Sequence, residues 1–278
     1  PDEEIFIMYH QITELYFKLS LHEFRQLAEE NSVTAESMTQ KLSRVNRYFE
    51  ALTRSFGIME QGMDRHQFLK FRMSLIPASG FQSVQYRLVE ICATDMINLV
   101  DKDHRDDMKE HDPSIEQMYE YIYWKKGATI AESGHKTLTL KQFEKKYSGM
   151  IIRHAKEFYH TNLWQKYLEL PEEEQANETL KDQMRLLDLN VNVYWPLQHY
   201  KTSVVYLARR PADVRATGGT NWQKYLPPRF QKRIFYPQLW TEQEKEEWER
   251  DKAKGVGTKR RKGGERKKEG KGIGRRET

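Results

Sequence analysis

The sequence predicts an all-α protein, a bundle of long helices. Apolar residues recur at spacings of three and four along most of the chain, which is the periodicity of an amphipathic helix. No succession of alternating apolar and polar residues predicts a sheet, and the sequence contains no internal repeat. Six Trp, fifteen Tyr and twelve Phe supply large side chains for a sizeable core.

The first helix is predicted from Asp2 onward, because acidic side chains favour the positive end of a helix dipole. It is apolar nearly all round, which predicts that it is deeply buried. The same periodicity predicts further helices over residues 34–62, 65–76, 81–101, 112–127, 139–168 and 172–210. The stretch SGHKTLTL, residues 133–140, has turn and strand character and is predicted to be a loop.

The positive charge of the chain is concentrated at its C-terminal end. Residues 251–278 contain twelve Lys or Arg and four Asp or Glu, whereas residues 1–250 contain 34 basic and 37 acidic side chains. We therefore predict one helical domain over 1–250 and a basic, Gly-rich, disordered tail over 251–278. Charge alone lets such a tail bind nucleic acid non-specifically, and a solubilising tail explains the composition equally well. The tail has no aromatic residues for base stacking.

Composition excludes several classes of protein. One cysteine cannot form an internal disulfide, a multi-cysteine zinc site or an iron–sulfur cluster. The absence of a P-loop argues against nucleotide hydrolysis, and no HExxH or GxSxG motif is present. Without a signal peptide or an apolar run of 18 residues, the sequence predicts a soluble cytoplasmic protein with no membrane partner. Because the chain begins at Pro1 and is helical in pattern at once, we expect its N-terminal segment to be missing.

The stretch FRMSLIPASGFQSVQYR, residues 71–87, interrupts a helical pattern and restarts it. Pro77 disfavours helix before it, and Ser79 begins an S-x-x-Q capping box that predicts a new helix from Gly80 or the next residue. The open amides of that N-terminus, together with the guanidinium of Arg72, would suit a small anion such as a carboxylate. A helix corner whose arginines pair with glutamates explains the same residues.

Two histidines lie in apolar helical patterns. His199 lies within WPLQHYKTSVVYL, residues 195–207, where a neutral imidazole can bind a haem iron or can be an ordinary core histidine. Pro196 predicts that this helix starts or kinks there. His10 lies beside Phe6 on the first helix, where it could accept a hydrogen bond from a substrate N–H or make a structural one.

Two glycines between threonines in ATGGTNWQKYL, residues 216–226, give a flexible backbone with hydroxyl donors. Such a segment can wrap a polar ligand, and it can equally be an ordinary loop.

Taken together, these stretches resemble the tryptophan 2,3-dioxygenase family. The opening helix is similar to the family pattern DE-x-LFI-x-x-HQ-x-x-ELWFK, and the interrupted stretch is similar to FR-x-x-L-x-x-ASGFQS-x-Q-YR-x-x-E. The glycine loop resembles GTGG-x-x-G-x-x-YL, and FYPQLW resembles the closing FPELW. The similarities occur in order from Asp2 to Trp240.

This resemblance implies the tryptophan/indoleamine dioxygenase-like fold and an enzyme, usually a homotetramer, that carries haem b. The enzyme cleaves the indole C2–C3 bond of L-tryptophan with O₂ to give N-formyl-L-kynurenine, which opens tryptophan catabolism through the kynurenine pathway. By position, His199 would be the proximal ligand of the haem iron. Ser79 and Gly80 would lie over the distal face of the haem.

The resemblance also assigns the substrate-binding residues. Arg72 would bind the carboxylate of tryptophan, in agreement with the anion site inferred above. Thr217 would contact the ammonium group or a haem propionate. His10, the predicted catalytic residue, would accept the indole N–H, and Phe6 and Phe68 would pack on the indole ring.

Several positions depart from the family pattern. Pro196 replaces the usual Arg after the Trp of the ligand-bearing helix, and Phe68 replaces a common Tyr. Ala216 and the pair Asn221–Trp222 replace small residues of the glycine loop. The family's N-terminal segment, which reaches a neighbouring active site, is absent from this sequence. An alternative function is therefore a haem-dependent mono-oxygenase or hydroxylase that acts on another aromatic amino acid or indole derivative.

Overall fold

The computed structural model describes residues 2–72, 83–129, 134–207 and 233–247. Within these ranges all regular structure is helical, and β-type pairing is limited to the isolated bridges Val100–Ile122 and Thr129–Lys136. The predicted all-α fold is therefore confirmed. None of the described helices combines the length and apolar composition needed to cross a bilayer. The tail over 251–278 lies outside the described residues, so the predicted domain boundary stays a prediction.

The helices are labelled in chain order. They are α1 (Asp2–Glu29), α2 (Ala35–Ser55), α3 (Gly57–Gly62), α4 (Arg65–Phe71), α5 (Val84–Ala93), α6 (Lys102–Lys109), α7 (Ile115–Glu120), α8 (Tyr123–Gly127), α9 (Leu138–Glu157), α10 (Leu163–Leu168), α11 (Glu172–Gln175), α12 (Glu178–Leu189), α13 (Trp195–Leu207) and α14 (Glu242–Glu247). Short 3-10 turns occupy Met96–Leu99 and Pro237–Leu239, and a π-helical turn occupies Asn190–Tyr194.

Helix α1 lies at the centre of the fold and packs against α2 and α5, while α2 packs in turn on α12. Buried residues recur along one face of α1 at helical spacing: Tyr9, Thr13, Phe17, Ser20, Phe24 and Leu27. Phe17 meets Phe49 of α2 at a centroid distance of 5.9 Å and Tyr86 of α5 at 5.2 Å. Burial of these rings contributes to the driving force for packing the three helices.

The prediction that α1 is buried all round is wrong for a single chain. Met8, Ile12, Leu15 and Leu19 form a second stripe, which is 44–60% exposed. These residues follow one another at intervals of three and four, so they share one face of the helix. Composition detects both stripes, but it cannot say which of them packs within one chain. We call these four residues the α1 outer stripe.

The long predicted helices are divided into shorter ones. The predicted helix 34–62 is split after Ser55, and 112–127 is split at Tyr121–Ile122, where Ile122 pairs with Val100. Capping residues start the later segments: Asn162 accepts hydrogen bonds at the start of α10, and Thr137 does so at the start of α9. The predicted loop 133–140 is therefore helical from Leu138 onward.

Helix α5 is shorter at both ends than the predicted 81–101. It begins at Val84, where the hydroxyl of Ser83 accepts the backbone N–H of Tyr86. It ends at Ala93 because Thr94 is fully extended, and its hydroxyl donates to the carbonyl of Phe235 at 2.6 Å. Ser83 is not helical, so the described helix starts at Val84. The predicted start at Gly80 or Phe81 lies outside the described residues.

The predicted irregularity at Pro196 is present as the π-helical turn over Asn190–Tyr194. Proline has no amide hydrogen, and its ring collides with the carbonyl four residues earlier in a regular helix. Here the N–H of Trp195 donates to the carbonyl of Asn190, five residues back, which widens the turn. Helices α12 and α13 are therefore continuous through this turn, but the side chains of α13 are rotated about the helix axis relative to a regular continuation of α12.

Asp188 joins the end of α12 to the segment 233–240. Its Oδ1 accepts the amides of Asn192 at 2.6 Å and Phe235 at 2.9 Å, and its Oδ2 accepts the N–H of Tyr236 at 3.2 Å and the indole N–H of Trp240 at 3.1 Å. Complete burial raises the pKa of Asp188 to about 6, and the four donors oppose that rise. The carboxylate is thus ionised at neutral pH.

We expect Asp188→Asn to destabilise the fold by about 2–4 kcal/mol. The side-chain amide would place its own N–H groups against some of the N–H donors that the carboxylate of Asp188 accepts. Denaturant unfolding followed by circular dichroism at pH 7 would measure the change. Asp106→Asn is the control, since the side chain of Asp106 is 93% exposed and should contribute less than about 0.5 kcal/mol. Equal stability of the wild type and Asp188→Asn would contradict this role.

Candidate active site

Helices α1, α3, α4 and α13 converge on a second aromatic cluster, separate from the main core. Its buried members are Tyr9, Phe56, Met59, Met63, Phe71 and Tyr206, with Phe6, Phe68, Trp195 and Tyr200 packed against them. Three of the predicted site residues, Phe6, Phe68 and His10, lie on α1 and α4 at this cluster. A fourth, His199, reaches it from α13 through Phe56.

His10 is held in one orientation by its own helix. Its Nδ1 lies 2.7 Å from the carbonyl oxygen of Phe6, so Nδ1 carries the proton and donates it. Phe6 and Tyr9 also flank the ring, at centroid distances of 4.1 and 5.7 Å. Neighbouring protein atoms lower the pKa of His10 by desolvating its charged form, although the residue is exposed to solvent. The neutral imidazole thus presents Nε2 as a hydrogen-bond acceptor.

Phe6 and Phe68 form the aromatic part of the site. Their centroids are 6.0 Å apart and tilted by 47°, and Phe68 also contacts the ring of Tyr206 at 4.8 Å. Phe71 lies 5.7 Å from Phe6 and 5.5 Å from Phe68, which completes a group of mutually packed rings. Such a group provides an apolar surface for a flat aromatic ligand.

Arg72 ends helix α4, and its backbone N–H donates to the carbonyl of Phe68. The residue is only 8% exposed, and burial lowers the pKa of its guanidinium. A guanidinium stays charged under all ordinary conditions, so burial places a permanent positive charge one turn from Phe68. That charge favours an anionic group in a ligand that packs on the aromatic side chains.

His199 lies on α13 with its ring stacked on Phe56 at 5.9 Å and 25°. Burial lowers its pKa to about 4, and repulsion from His10 acts in the same direction. The imidazole is therefore neutral at physiological pH. Within the described ranges, neither ring nitrogen of His199 has a hydrogen-bonding partner, so a nitrogen lone pair is available to a metal.

This donor set fits a metal that arrives with most of its ligands already bound. Among the described residues, no group of three or more His, Cys, Asp or Glu could hold a free metal ion. A single neutral imidazole is enough for the iron of a haem, since the porphyrin supplies four nitrogen ligands. The residues around His199 therefore fit a haem better than a bare ion.

Three predicted site residues, Ser79, Gly80 and Thr217, lie outside the described residues. So do Ala216 and the pair Asn221–Trp222 of the same glycine loop. The assigned roles of Ser79, Gly80 and Thr217 stay predictions.

The sequence analysis missed several residues of the site. Phe56 and Tyr206 contact the predicted residues directly, and Glu60 of α3 accepts hydrogen bonds from α13. Their spacing carried no distinguishing signal, because each lies in an ordinary helical pattern. Only the packing of α3 against α13 brings them to the site.

A cavity of about 520 Å³ lies elsewhere, between α10, α12 and the turn at Pro237–Leu239. Its walls include Lys181 and Arg185, whose charges are paired with Glu178 and Glu244. The residues that line it include none of the predicted site. We therefore place the candidate site at the aromatic cluster, beside which His10 and His199 lie, and not at this cavity.

Comparisons with known proteins show what the chain as a whole is similar to. The sequence profile of the family described as tryptophan 2,3-dioxygenase matches residues 1–112, which contain α1 to α6. A tryptophan 2,3-dioxygenase of Ruegeria sp. (strain TM1040) is 28% identical over 260 residues, with 86% of this chain and 83% of that protein covered. The protein of the same name from Bradyrhizobium diazoefficiens is 27% identical over 254 residues, covering 86% and 82%.

Similarity is higher over a shorter part of the chain. A tryptophan 2,3-dioxygenase of Sorangium cellulosum is 43% identical over 96 residues, which cover 32% of this chain and 23% of that protein. None of these relatives is named as a mono-oxygenase or hydroxylase, so nothing here favours the alternative reaction. With the helical fold, these comparisons show that the chain is similar to the tryptophan 2,3-dioxygenase family over residues 1–112 and, at lower identity, to proteins of that name over most of its length.

Proposed function

We propose that the chain is a haem-dependent L-tryptophan 2,3-dioxygenase that converts its substrate with O₂ into N-formyl-L-kynurenine. One observation carries the proposal above the others: the imidazoles of His10 and His199 pack on Phe6 and Phe56, two rings of the same aromatic cluster. His10 offers an acceptor to an indole N–H, and His199 offers a lone pair to iron. Similarity to the tryptophan 2,3-dioxygenases supports the reaction class.

His199 would hold the iron of haem b as its proximal ligand, and Phe56 would support the imidazole ring. Bound haem supplies the activation of O₂, which no side chain of the described residues can perform. The protein supplies orientation and a largely water-free pocket. Ser79 and Gly80 are proposed to lie over the distal face, as the family pattern places them.

The substrate would be bound at three points. The indole would pack on Phe6 and Phe68, its N–H would donate to Nε2 of His10, and its carboxylate would bind Arg72. Thr217 is proposed to contact the ammonium group or a haem propionate. Because the proton on His10 is held at Nδ1 by a backbone carbonyl, His10 would act as a fixed acceptor that orients the ring.

We further propose that the chain assembles into a homotetramer. The α1 outer stripe supports self-association, since a continuous apolar helix face of this kind is costly to leave in water. The stripe lies on the same helix as Phe6 and His10, so a neighbouring copy bound there would fix the helix that carries half of the substrate site.

Reconstituted with haem, the wild-type protein should show a Soret band and convert L-tryptophan into a product with the near-ultraviolet absorption of N-formylkynurenine. His199→Ala should bind haem weakly, lack that band and form no product, because the variant lacks the proposed iron ligand. Absorption spectra and product chromatography would measure both. His160→Ala, a change at an exposed histidine, should behave as the wild type. A hydroxylated product with an intact indole ring would refute the proposed reaction.

Arg72→Ala should weaken binding of L-tryptophan by roughly 2–4 kcal/mol, the effect of removing one partner of a desolvated charge pair. Tryptamine lacks the carboxylate, so its affinity should be nearly the same for the variant and the wild type. Spectroscopic titration of the haem-loaded protein with both ligands would measure the difference. Lys70→Ala, an exposed cation of the same helix, is the control. Equal losses for both ligands would show that Arg72 does not bind the carboxylate.

Leu15→Glu should reduce the mass of the assembly in solution, because it places a charge at the most exposed position of the α1 outer stripe. Light scattering coupled to size exclusion would report the mass. Leu138→Glu changes a leucine that is 64% exposed on α9, and it should leave the assembly intact. If Leu15→Glu keeps the wild-type mass, the stripe is not the interface.

A further inference from the structure

Helix α13 turns one polar face toward α3. Gln198, Thr202 and Tyr206 follow one another at intervals of four residues, so their side chains lie in a row along the helix. His199 follows the first of them directly and therefore points about 100° away around the helix axis. The contacts that hold this row set the rotation of α13 about its own axis. They therefore also set the direction in which the imidazole of His199 points.

Glu60 of α3 holds two members of the row with one oxygen. Its Oε1 accepts the amide of Gln198 at 2.7 Å and the hydroxyl of Thr202 at 2.7 Å. Hydrogen bonds of this length to a carboxylate are stronger than those between neutral groups. The third member, Tyr206, donates its hydroxyl to the backbone carbonyl of Met59, with Met63 O at 3.3 Å.

The N-terminus of α3 also contacts His199. Phe56, at the N-terminus of α3, stacks on His199 at 5.9 Å. Trp195, at the start of α13, packs on the same Phe56 ring at 4.8 Å. Thus α3 provides a ring for His199 to stack on and a carboxylate that fixes the rotation of its helix.

We propose that Glu60 is a positioning residue that directs the imidazole of His199 at the haem iron, an inference that rests on the proposed function. The row of hydrogen bonds does this through geometry. The π-helical turn before α13 uncouples its register from that of α12, so a separate contact has to set the rotation of α13. Glu60 accepts hydrogen bonds from two successive turns, which prevents the helix from rotating about its axis.

The chemistry of the contact predicts which substitutions are tolerated. Glutamine retains a carbonyl oxygen at the place of Oε1 and can accept both hydrogen bonds. Alanine leaves the amide of Gln198 and the hydroxyl of Thr202 without their acceptor. A positioning role therefore predicts that Glu60→Gln is mild and Glu60→Ala is severe.

The experiment compares full-length, haem-loaded wild type with Glu60→Ala and Glu60→Gln. The measurements are the rate of haem transfer to a globin that scavenges haem and the iron–histidine stretching band of the ferrous protein in resonance Raman spectra. In Glu60→Ala, haem should leave about tenfold faster, and the stretching band should shift and broaden. Glu60→Gln should lie within about threefold of the wild type with an unshifted band.

Glu23→Ala is the matched control, since Glu23 is a buried carboxylate that pairs with Arg44 and contacts α2 and not α13. It should change stability without moving the stretching band. Should Glu60→Ala not fold, Thr202→Val removes one of the two hydrogen bonds at nearly constant shape. An intermediate haem-transfer rate is then expected, and a wild-type rate with an unchanged band would overturn the inference.

The outcomes separate this inference from the proposed function. If the wild type binds haem, His199→Ala does not, and Glu60→Ala matches the wild type in rate and band, Glu60 has no positioning role and the proposed function stands. If Glu60→Gln is as defective as Glu60→Ala, the two accepted hydrogen bonds are not the cause and the inference fails. If His199→Ala keeps the wild-type haem spectrum, both proposals fall together.

Discussion

The placement of α13 is the constraint on which the rest of the site depends. This helix carries His199, and it is held at its start by Trp195, which packs on Phe17 of α1 and Phe56 at ring distances of 5.8 and 4.8 Å. Along its side, hydrogen bonds to α3 fix its rotation. Since α1 carries His10, the packing of Trp195 against Phe17 relates the two imidazoles across the site. The positions of both imidazoles in the candidate site therefore depend on how α13 packs against α1 and α3.

Buried charged side chains hold the segment 233–240, which follows the glycine loop in the sequence. Glu90 of α5 pairs with Arg87 at 2.9 Å, accepts the hydroxyl of Tyr123 at 2.6 Å and binds Arg233. Buried ion pairs of this kind add little net stability, but breaking one is costly because a charge is left uncompensated. Together with Asp188, Glu90 fixes the segment that begins at Arg233 to α5 and α12.

Helix α1 serves the fold and the site with different faces. Its inner face enters the main core through Phe17 and Phe24, and its first turns carry Phe6 and His10 to the aromatic cluster. The α1 outer stripe stays exposed among the described residues of a single chain. Helix α1 carries apolar residues on its buried face and on its outer stripe. Its apolar composition therefore exceeds what burial in one chain requires.

The sequence by itself determined the helical class, the approximate positions of most helices and the identity of His10, Arg72 and His199 as candidates. Helical periodicity and family motifs are local properties, so they can be recognised from the sequence alone. Only the tertiary structure decided where helices end, as at Thr94, whose hydroxyl finds an acceptor 141 residues away in Phe235. It also decided which face of α1 is buried and that Glu60 meets α13. These outcomes depend on contacts between distant parts of the chain, and no local pattern records which partners will meet.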